Sequence, residues 1–305
     1  MIDILSKRYL YFAISLLVIL PGLIVLVSGG LPLSIDFTGG SLLEVRFEPG
    51  KPMNTSEIVP IYESAGIDDP QVTTTENGSR VIRSSFLSNE IRDEILTSME
   101  LAAGSAPEVI RFDSVGPSIG RQVTSRAILA VTVAALAVVI YITIAFRKVS
   151  NAFRYGVCAI IAMVHDVAVV FSVAALGARF FDWQMDALFL TSLLTVIGFS
   201  VQDKVVVFDR IRENSSILRR LDYEKLVNHS IVQTLQRSIN TQLMTVEFLL
   251  LALALFGGVT LQEFAVILLV GLFSGTYSSI FIAAPILVLW EKREWTSWFG
   301  RGATA

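Results

Sequence analysis

Apolar residues fill long stretches of this chain, and the few charges that interrupt them are unevenly placed. An α-helix needs about 20 mostly apolar residues to cross the roughly 30 Å hydrocarbon layer of a bilayer, and the pattern predicts six such spans. Residues 9–28, 127–146 and 264–290 contain no charged side chain. Residues 155–178 are broken only by His165 and Asp166, residues 187–208 only by Asp203 and Lys204, and residues 231–256 by Arg237 and Glu247. The polar interruptions therefore all fall in the middle three spans.

Between the first two spans the periodicity changes. SLLEVRF at 41–47 alternates as a strand, and TSEIVPIYESAG at 55–66 reads as a short helix ending at Gly66. QVTTTENGSRVIRSSF at 71–86 reads as a hairpin in which Asn77-Gly78 suits a tight primed turn. SNEIRDEILTSMELAAG at 88–104 follows as a helix with Ser88 as N-cap and Gly104 past its end, and EVIRFDSV at 108–115 closes as a strand. The order β-α-β-β-α-β is a ferredoxin-like α+β pattern. The segment carries no metal-ligand cluster, no nucleophile and base pair and no phosphate loop in its sequence.

Composition agrees with the span count. The 305 residues are 53% hydrophobic and 17% charged, with a mean hydropathy of +0.64, which marks an integral membrane protein. The net charge of −3 and the lack of a basic cluster give no reason to expect nucleic acid as a partner. Cys158 is the only cysteine, so no disulfide is expected within the chain. Lys7 and Arg8 precede the first apolar run, but the run is too long for a signal peptide and no A-x-A site follows, so it is expected to stay as a helix. Lys and Arg gather in the loops on one side of the six-span topology: Lys7 and Arg8, Arg147 to Arg154, Arg210 to Lys225, and Lys292 onward. That bias predicts two cytoplasmic termini and an extracytoplasmic insert. The expected organisation is span 1 in 1–29, the ferredoxin-like insert in 30–125, spans 2 to 6 in 126–292 with a cytoplasmic amphipathic segment near 209–235, and a cytoplasmic tail in 293–305.

The candidate chemistry lies inside the spans. In SVQDKVVVFDR, residues 200–210, Asp203 sits six residues, roughly 9 Å, short of the expected cytoplasmic end at Asp209. An isolated ionised side chain in the bilayer costs about 2.5 kcal/mol or more, so such charges pair or line an ion path. Arg237, in the first turns of the fifth span, can reach the same depth on a neighbouring antiparallel helix. Local neutralisation of Asp203 by Lys204 is the weaker alternative, because adjacent helix residues diverge by about 100°. Asp166 beside His165 either handles an ion or makes a polar contact between helices. Glu247 has no partner in the sequence and is expected to be protonated and hydrogen-bonded. Gly271-x-x-x-Gly275 suits close helix packing, with Ser274, Thr276, Ser278 and Ser279 as donors across it.

Several of these stretches resemble one family. DFTGG (Asp36, Phe37, Thr38, Gly39, Gly40), VGPSIG at 115–120, HDV at 165–167, IGFSVQDKVVVFDRIREN at 197–214, QTLQR at 233–237 and LFGG at 255–258 are similar to the SecF subunits of bacterial SecD and SecF pairs. The long block ends in Asp209, Arg210, Arg212, Glu213 and Asn214. The resemblance implies a multi-pass protein of the bacterial inner membrane, in the resistance-nodulation-division superfamily, with six helices and a large extracytoplasmic loop after the first. It implies no enzyme and no cofactor other than the coupling ion, proton or sodium. It also implies SecD and the SecYEG channel as partners, YajC and YidC as further neighbours, and an unfolded exported polypeptide as the cargo drawn outward through the lipid membrane after the SecA motor. The family's ion-moving carboxylate and arginine fall on Asp203 and Arg237. Gln202 stands where the pattern has Asn, Lys204 where it has a small Ser or Thr, and Glu247 where an uncharged residue is expected. Two other readings compete: a half-size exporter of small molecules or lipids in the same superfamily, and an intramembrane hydrolase whose acid and base are Asp166 and Asp203 with His165 alongside.

Overall fold

The computed structural model of the protein describes residues 3–48, 53–68, 70–75, 77–147, 152–240, 248–256 and 258–293. These fall into two compact units, one made of Leu33–Leu129 and the other of Met1–Pro32 with Ala130–Ala305.

In the smaller unit a one-turn helix α2 (Ile35–Thr38) leads into β1 (Gly40–Arg46), α3 (Thr55–Ser64), β2 (Gln71–Thr74), β3 (Arg80–Ser84), α4 (Asn89–Ala103) and β4 (Glu108–Val115). The strands form one antiparallel sheet in the order β2-β3-β1-β4, with Leu43 opposite Ile82 on one side and Phe112 on the other. Alternation in β1 sends Ser41, Leu43 and Val45 inward. There Leu43, Val45 and Ile82 meet Ile58 and Tyr62 of α3 and Ile95 and Met99 of α4. The helix ends follow the capping signals. Asn54 and Glu57 form a capping box on α3, Ser88 Oγ accepts from Ile91 N at 3.4 Å at the start of α4, and Gly104 ends that helix in a left-handed conformation. The hairpin differs from the two-residue turn its sequence predicts. The strands stop at Thr74 and Arg80, because Thr75 and Ser79 bond to each other through Thr75 N to Ser79 O at 3.0 Å and through their hydroxyls at 2.6 Å.

The larger unit is helical. Its elements are α1 (Arg8–Gly29), α5 (Pro117–Phe146, which starts in the smaller unit), α6 (Ala152–Phe181), α7 (Ala187–Ile217), α8 (Tyr223–Ser238), α9 (Phe248–Phe256), α10 (Gly258–Ser278) and α11 (Ala284–Glu291). Five stretches of the described residues are long and apolar enough to cross a membrane: Leu5–Gly29, Pro117–Phe146, Ala152–Phe181, Ala187–Ile217 and Leu261–Glu291. The sixth, expected at 231–256, includes residues 241–247, which lie outside the described residues, as do Glu247, Gly257 and the tail beyond Arg293. A π-helical turn, Ser279–Ala283, joins α10 to α11 just ahead of Pro285. Proline offers no N–H to the preceding turn and its ring crowds it, and a widened turn relieves that clash.

Close packing in this unit uses small residues. A Cβ on Gly22 of α1 would lie 2.2 Å from Ser172 Oγ of α6, and Ser172 Oγ donates to Val18 O at 2.8 Å. Gly271 and Gly275 of α10 sit against Val196 and Ser200 of α7, the close approach their spacing suggests. Two features depart from expectation. Helix α7 runs on past the expected membrane exit near Asp209 to Ile217, because Ile211 and Asn214 are buried and the i,i+3 pairs Asp209–Arg212 and Arg210–Glu213 support the extra turns. The segment beyond it is a separate helix, α8, whose face of Leu226, Val227 and Ile231 is covered by protein, chiefly α7 and α11, instead of lying free at an interface.

Candidate ion site

The centre of the helical unit is polar. Asp166 of α6 is fully buried, and five groups converge on its carboxylate. Ser274 Oγ of α10 donates to Oδ1 at 2.7 Å, and His165 Nδ1 lies 3.1 Å from the same oxygen. Ser200 Oγ and Lys204 Nζ of α7 and Ser278 Oγ of α10 all donate to Oδ2 at 2.7 Å. Lys204 is itself fully buried and also donates to Ser200 O at 3.0 Å and Ser200 Oγ at 2.6 Å. The arrangement follows from helical spacing. Ser200 and Lys204 stand one turn apart on α7, Ser274 and Ser278 one turn apart on α10, and both pairs face Asp166.

Asp203 is 7% exposed, and its Oδ2 accepts from Thr276 Oγ1 of α10 at 3.0 Å. Of the cations that act on it electrostatically, Lys204 does so more strongly and Arg237, in the last turn of α8, more weakly. The hydrogen bonds of Asp166 and Asp203 go to separate partners, so the two carboxylates do not form the shared-proton dyad that a hydrolase needs. Two sequence assignments change here. The ammonium of Lys204 neutralises Asp166 on the neighbouring helix, and Ser274, Thr276 and Ser278, read as packing donors, hold the two carboxylates. Ser279 Oγ donates instead to Thr276 O, within its own turn. His165 stacks on Tyr277 at 6.3 Å, and its buried Nε2 has no hydrogen-bond partner among the described residues.

The remaining motif residues form two structural joints. In the smaller unit, Thr124 Oγ1 donates to Phe37 O at 2.8 Å, and a Cβ on Gly120 would lie 2.6 Å from Gly39 N. Gly40, at φ 127°, leaves no room for a side chain against Ser84 O. Asp36 donates its backbone N–H to Ser34 Oγ, and Thr38 Oγ1 donates to Ser34 O, so DFTGG and VGPSIG form one knot. In the larger unit, Arg210 Nε and Asn214 Nδ2 both donate to Gln233 Oε1, at 2.7 and 2.9 Å, and Asn214 also donates to Ser230 Oγ at 2.8 Å. Arg210 pairs with Glu213 and Arg212 with Asp209 along α7. The block ending at Asn214 and the QTLQR block thus clamp α7 to α8, four residues from Arg237. Sequence reading missed a third joint. Glu224 at the start of α8 accepts from Arg8 at 2.8 Å and from Lys292, while Asn228 Oδ1 accepts from Ile4 N at 2.8 Å. Lys292, with Arg8 behind it, holds the Glu224 carboxyl below its ordinary value, and partial burial works in the opposite sense.

The chain is similar to known membrane proteins of one family. Residues 95–293 match the family described as "Protein export membrane protein SecD/SecF, C-terminal", and residues 24–51 match the "SecD/SecF GG Motif". The chain is 66% identical to the protein translocase subunit SecF of Anaerolinea thermophila over 99% of this chain and 98% of that one. It is 36% identical to the protein translocase subunit SecDF of Thermus thermophilus, covering 94% of this chain and 38% of the longer protein. The crystal structure of SecDF, a translocon-associated membrane protein from the same organism, superposes with a TM-score of 0.79 at 33% identity, covering 96% of this chain and 39% of that one.

Proposed function

This chain belongs to the SecD/SecF family of protein export membrane proteins, and from that premise we infer that it acts as the SecF-type subunit of Sec-dependent protein export. The observation that carries the reading is the match to a SecF subunit along the full length of both chains. A SecD protein is the expected partner, since in the Thermus relative a SecF-like part and a SecD part share one polypeptide under the name SecDF. The working assembly then sits beside SecYEG, with YajC and YidC as neighbours, in the bacterial inner membrane. Six spans, two cytoplasmic termini and an extracytoplasmic ferredoxin-like head complete the topology. The bias of Lys and Arg in the loops supports the orientation, and the β2-β3-β1-β4 sheet supports the head assignment.

The chain makes no covalent bond in this role; it converts an ion gradient, proton or sodium, into movement. Asp203 is the carrier, with Arg237 as its counter-charge. Ion uptake from outside neutralises Asp203 and weakens its attraction to Arg237, and release to the cytoplasm restores it. One charge moving through 100 mV supplies about 2.3 kcal/mol, enough to bias two helix arrangements some fifty-fold. Because α8 holds Arg237 and is clamped to α7 through Gln233, a change at Asp203 reaches both helices. The experiment is depletion of this chain in its own cells, with pulse-labelling of a secreted protein and affinity capture of the chain. Accumulated precursor and a co-captured SecD protein are expected. Normal export kinetics, or a chain captured without SecD, would favour the small-molecule exporter.

A further inference from the structure

The three N–H groups of Lys204 are all taken by oxygen: Asp166 Oδ2 at 2.7 Å, Ser200 O at 3.0 Å and Ser200 Oγ at 2.6 Å. A carboxylate, a backbone carbonyl and a hydroxyl around one positive charge make the donor set that hard cations take. Carbonyls and side-chain oxygens of this kind also hold coupling cations in membrane transporters. Two more hydroxyls, Ser274 Oγ and Ser278 Oγ, stand at 2.7 Å on the two oxygens of the same carboxylate. If the ammonium served only to neutralise Asp166, one good contact would suffice, yet three helices contribute oxygen atoms to this place. A serine hydroxyl that now donates to the carboxylate can turn and offer its lone pairs to a cation.

We propose that the Asp166 cage is a monovalent-cation site filled by the tethered ammonium of Lys204, so that the native chain takes no sodium there and opens to sodium when the ammonium is removed. The titratable groups around the cage are His165 on α6, at 3.1 Å from Asp166, and Asp203 on α7, which is turned to Thr276; the contacts to Asp166 from α10 are hydroxyls. The proposal rests on the ion-driven export reading and deepens it: with its cage closed to sodium, the chain works on protons at Asp203.

The test uses the full chain purified with its SecD partner and reconstituted in liposomes, with radioactive sodium as the probe. The wild type is expected to show no saturable sodium binding. Lys204→Ala is expected to gain it, and Lys204→Ala with Asp166→Asn to lose it again. Saturable sodium binding by the wild type that Asp166→Asn removes would overturn the proposal. So would a folded Lys204→Ala complex, with Cys158 still shielded from thiol reagents, that binds no sodium. If Lys204→Ala does not fold, membrane vesicles carrying the wild-type chain and the Sec channel decide the matter. Export driven by an imposed proton gradient is expected to run at the same rate with and without sodium, and an imposed sodium gradient alone is expected to drive none. Sodium-driven export that Asp203→Asn abolishes would sink the cage proposal and leave the motor reading standing. Equal export by wild type and Asp203→Asn under every gradient would sink the motor reading itself.

Discussion

The buried pair Asp166 and Lys204 allows a thermodynamic test by double-mutant cycle. Both side chains are fully buried, so removing one partner strands a charge in a low-dielectric place, which typically costs about 3–5 kcal/mol. The two single variants should differ within that range. Lys204→Met leaves the carboxylate with three serine hydroxyls and His165, which soften the loss toward about 3 kcal/mol. Asp166→Asn leaves the ammonium with only Ser200 O and Ser200 Oγ as certain acceptors, which places it toward about 5 kcal/mol. In the double variant no charge remains, and an asparagine oxygen can still accept from the serines. It should be more stable than either single by about 2 kcal/mol or more, roughly thirty-fold in the unfolding equilibrium. Unfolding of the full chain from mild detergent into SDS, read by tryptophan fluorescence, measures all four corners. If the two single losses simply add in the double variant, the pair does not interact and the account of the polar centre is wrong.

Three other outcomes follow from the joints. Gly120→Ala sets a Cβ 2.6 Å from Gly39 N and 3.0 Å from Gly39 Cα, backbone that cannot swing aside, so it should cost the smaller unit about 1–3 kcal/mol and speed its limited proteolysis. Glu224 has its carboxyl held below the ordinary value of 4.5 by Lys292 and Arg8, with Asp222 also on Lys292, so its contribution is full above that value and fades as pH falls through the lower folded one. Hydrogen exchange in Tyr223–Ser238 should accelerate on acidification below about pH 4.5, and Glu224→Gln should remove that dependence. Cys158 is fully buried and should resist N-ethylmaleimide in native membranes, reacting only once detergent unfolds the chain.

Local signals carried the smaller unit. Ser88 and Gly104 bracket α4 because capping and left-handed glycine are properties of a few adjacent residues, and the strands read out as alternation. The five described spans were equally visible, since a long apolar run needs no knowledge of its neighbours. The partner of Lys204 was not visible in this way. Its neighbour in sequence is Asp203, and only the packing of α6, α7 and α10 shows that Lys204 turns to Asp166 instead. A signal was available: Ser200 with Lys204 and Ser274 with Ser278 are polar pairs one turn apart in mostly apolar stretches, the mark of a polar stripe facing something charged. The extension of α7 past Asp209 was hidden for a similar reason, because Asn214 is held by Ser230 of α8, a contact between segments that sequence periodicity treats separately.

The central claim is that Asp203 moves the ion that powers export. Asp203→Asn removes only the charge and keeps an oxygen for Thr276 Oγ1 at 3.0 Å, so the fold should survive. In cells whose only copy of this gene carries Asp203→Asn, pulse-chase of a secreted protein should show precursor accumulating although the variant is present at normal level and bound to SecD. Export at the wild-type rate under those conditions would contradict the account.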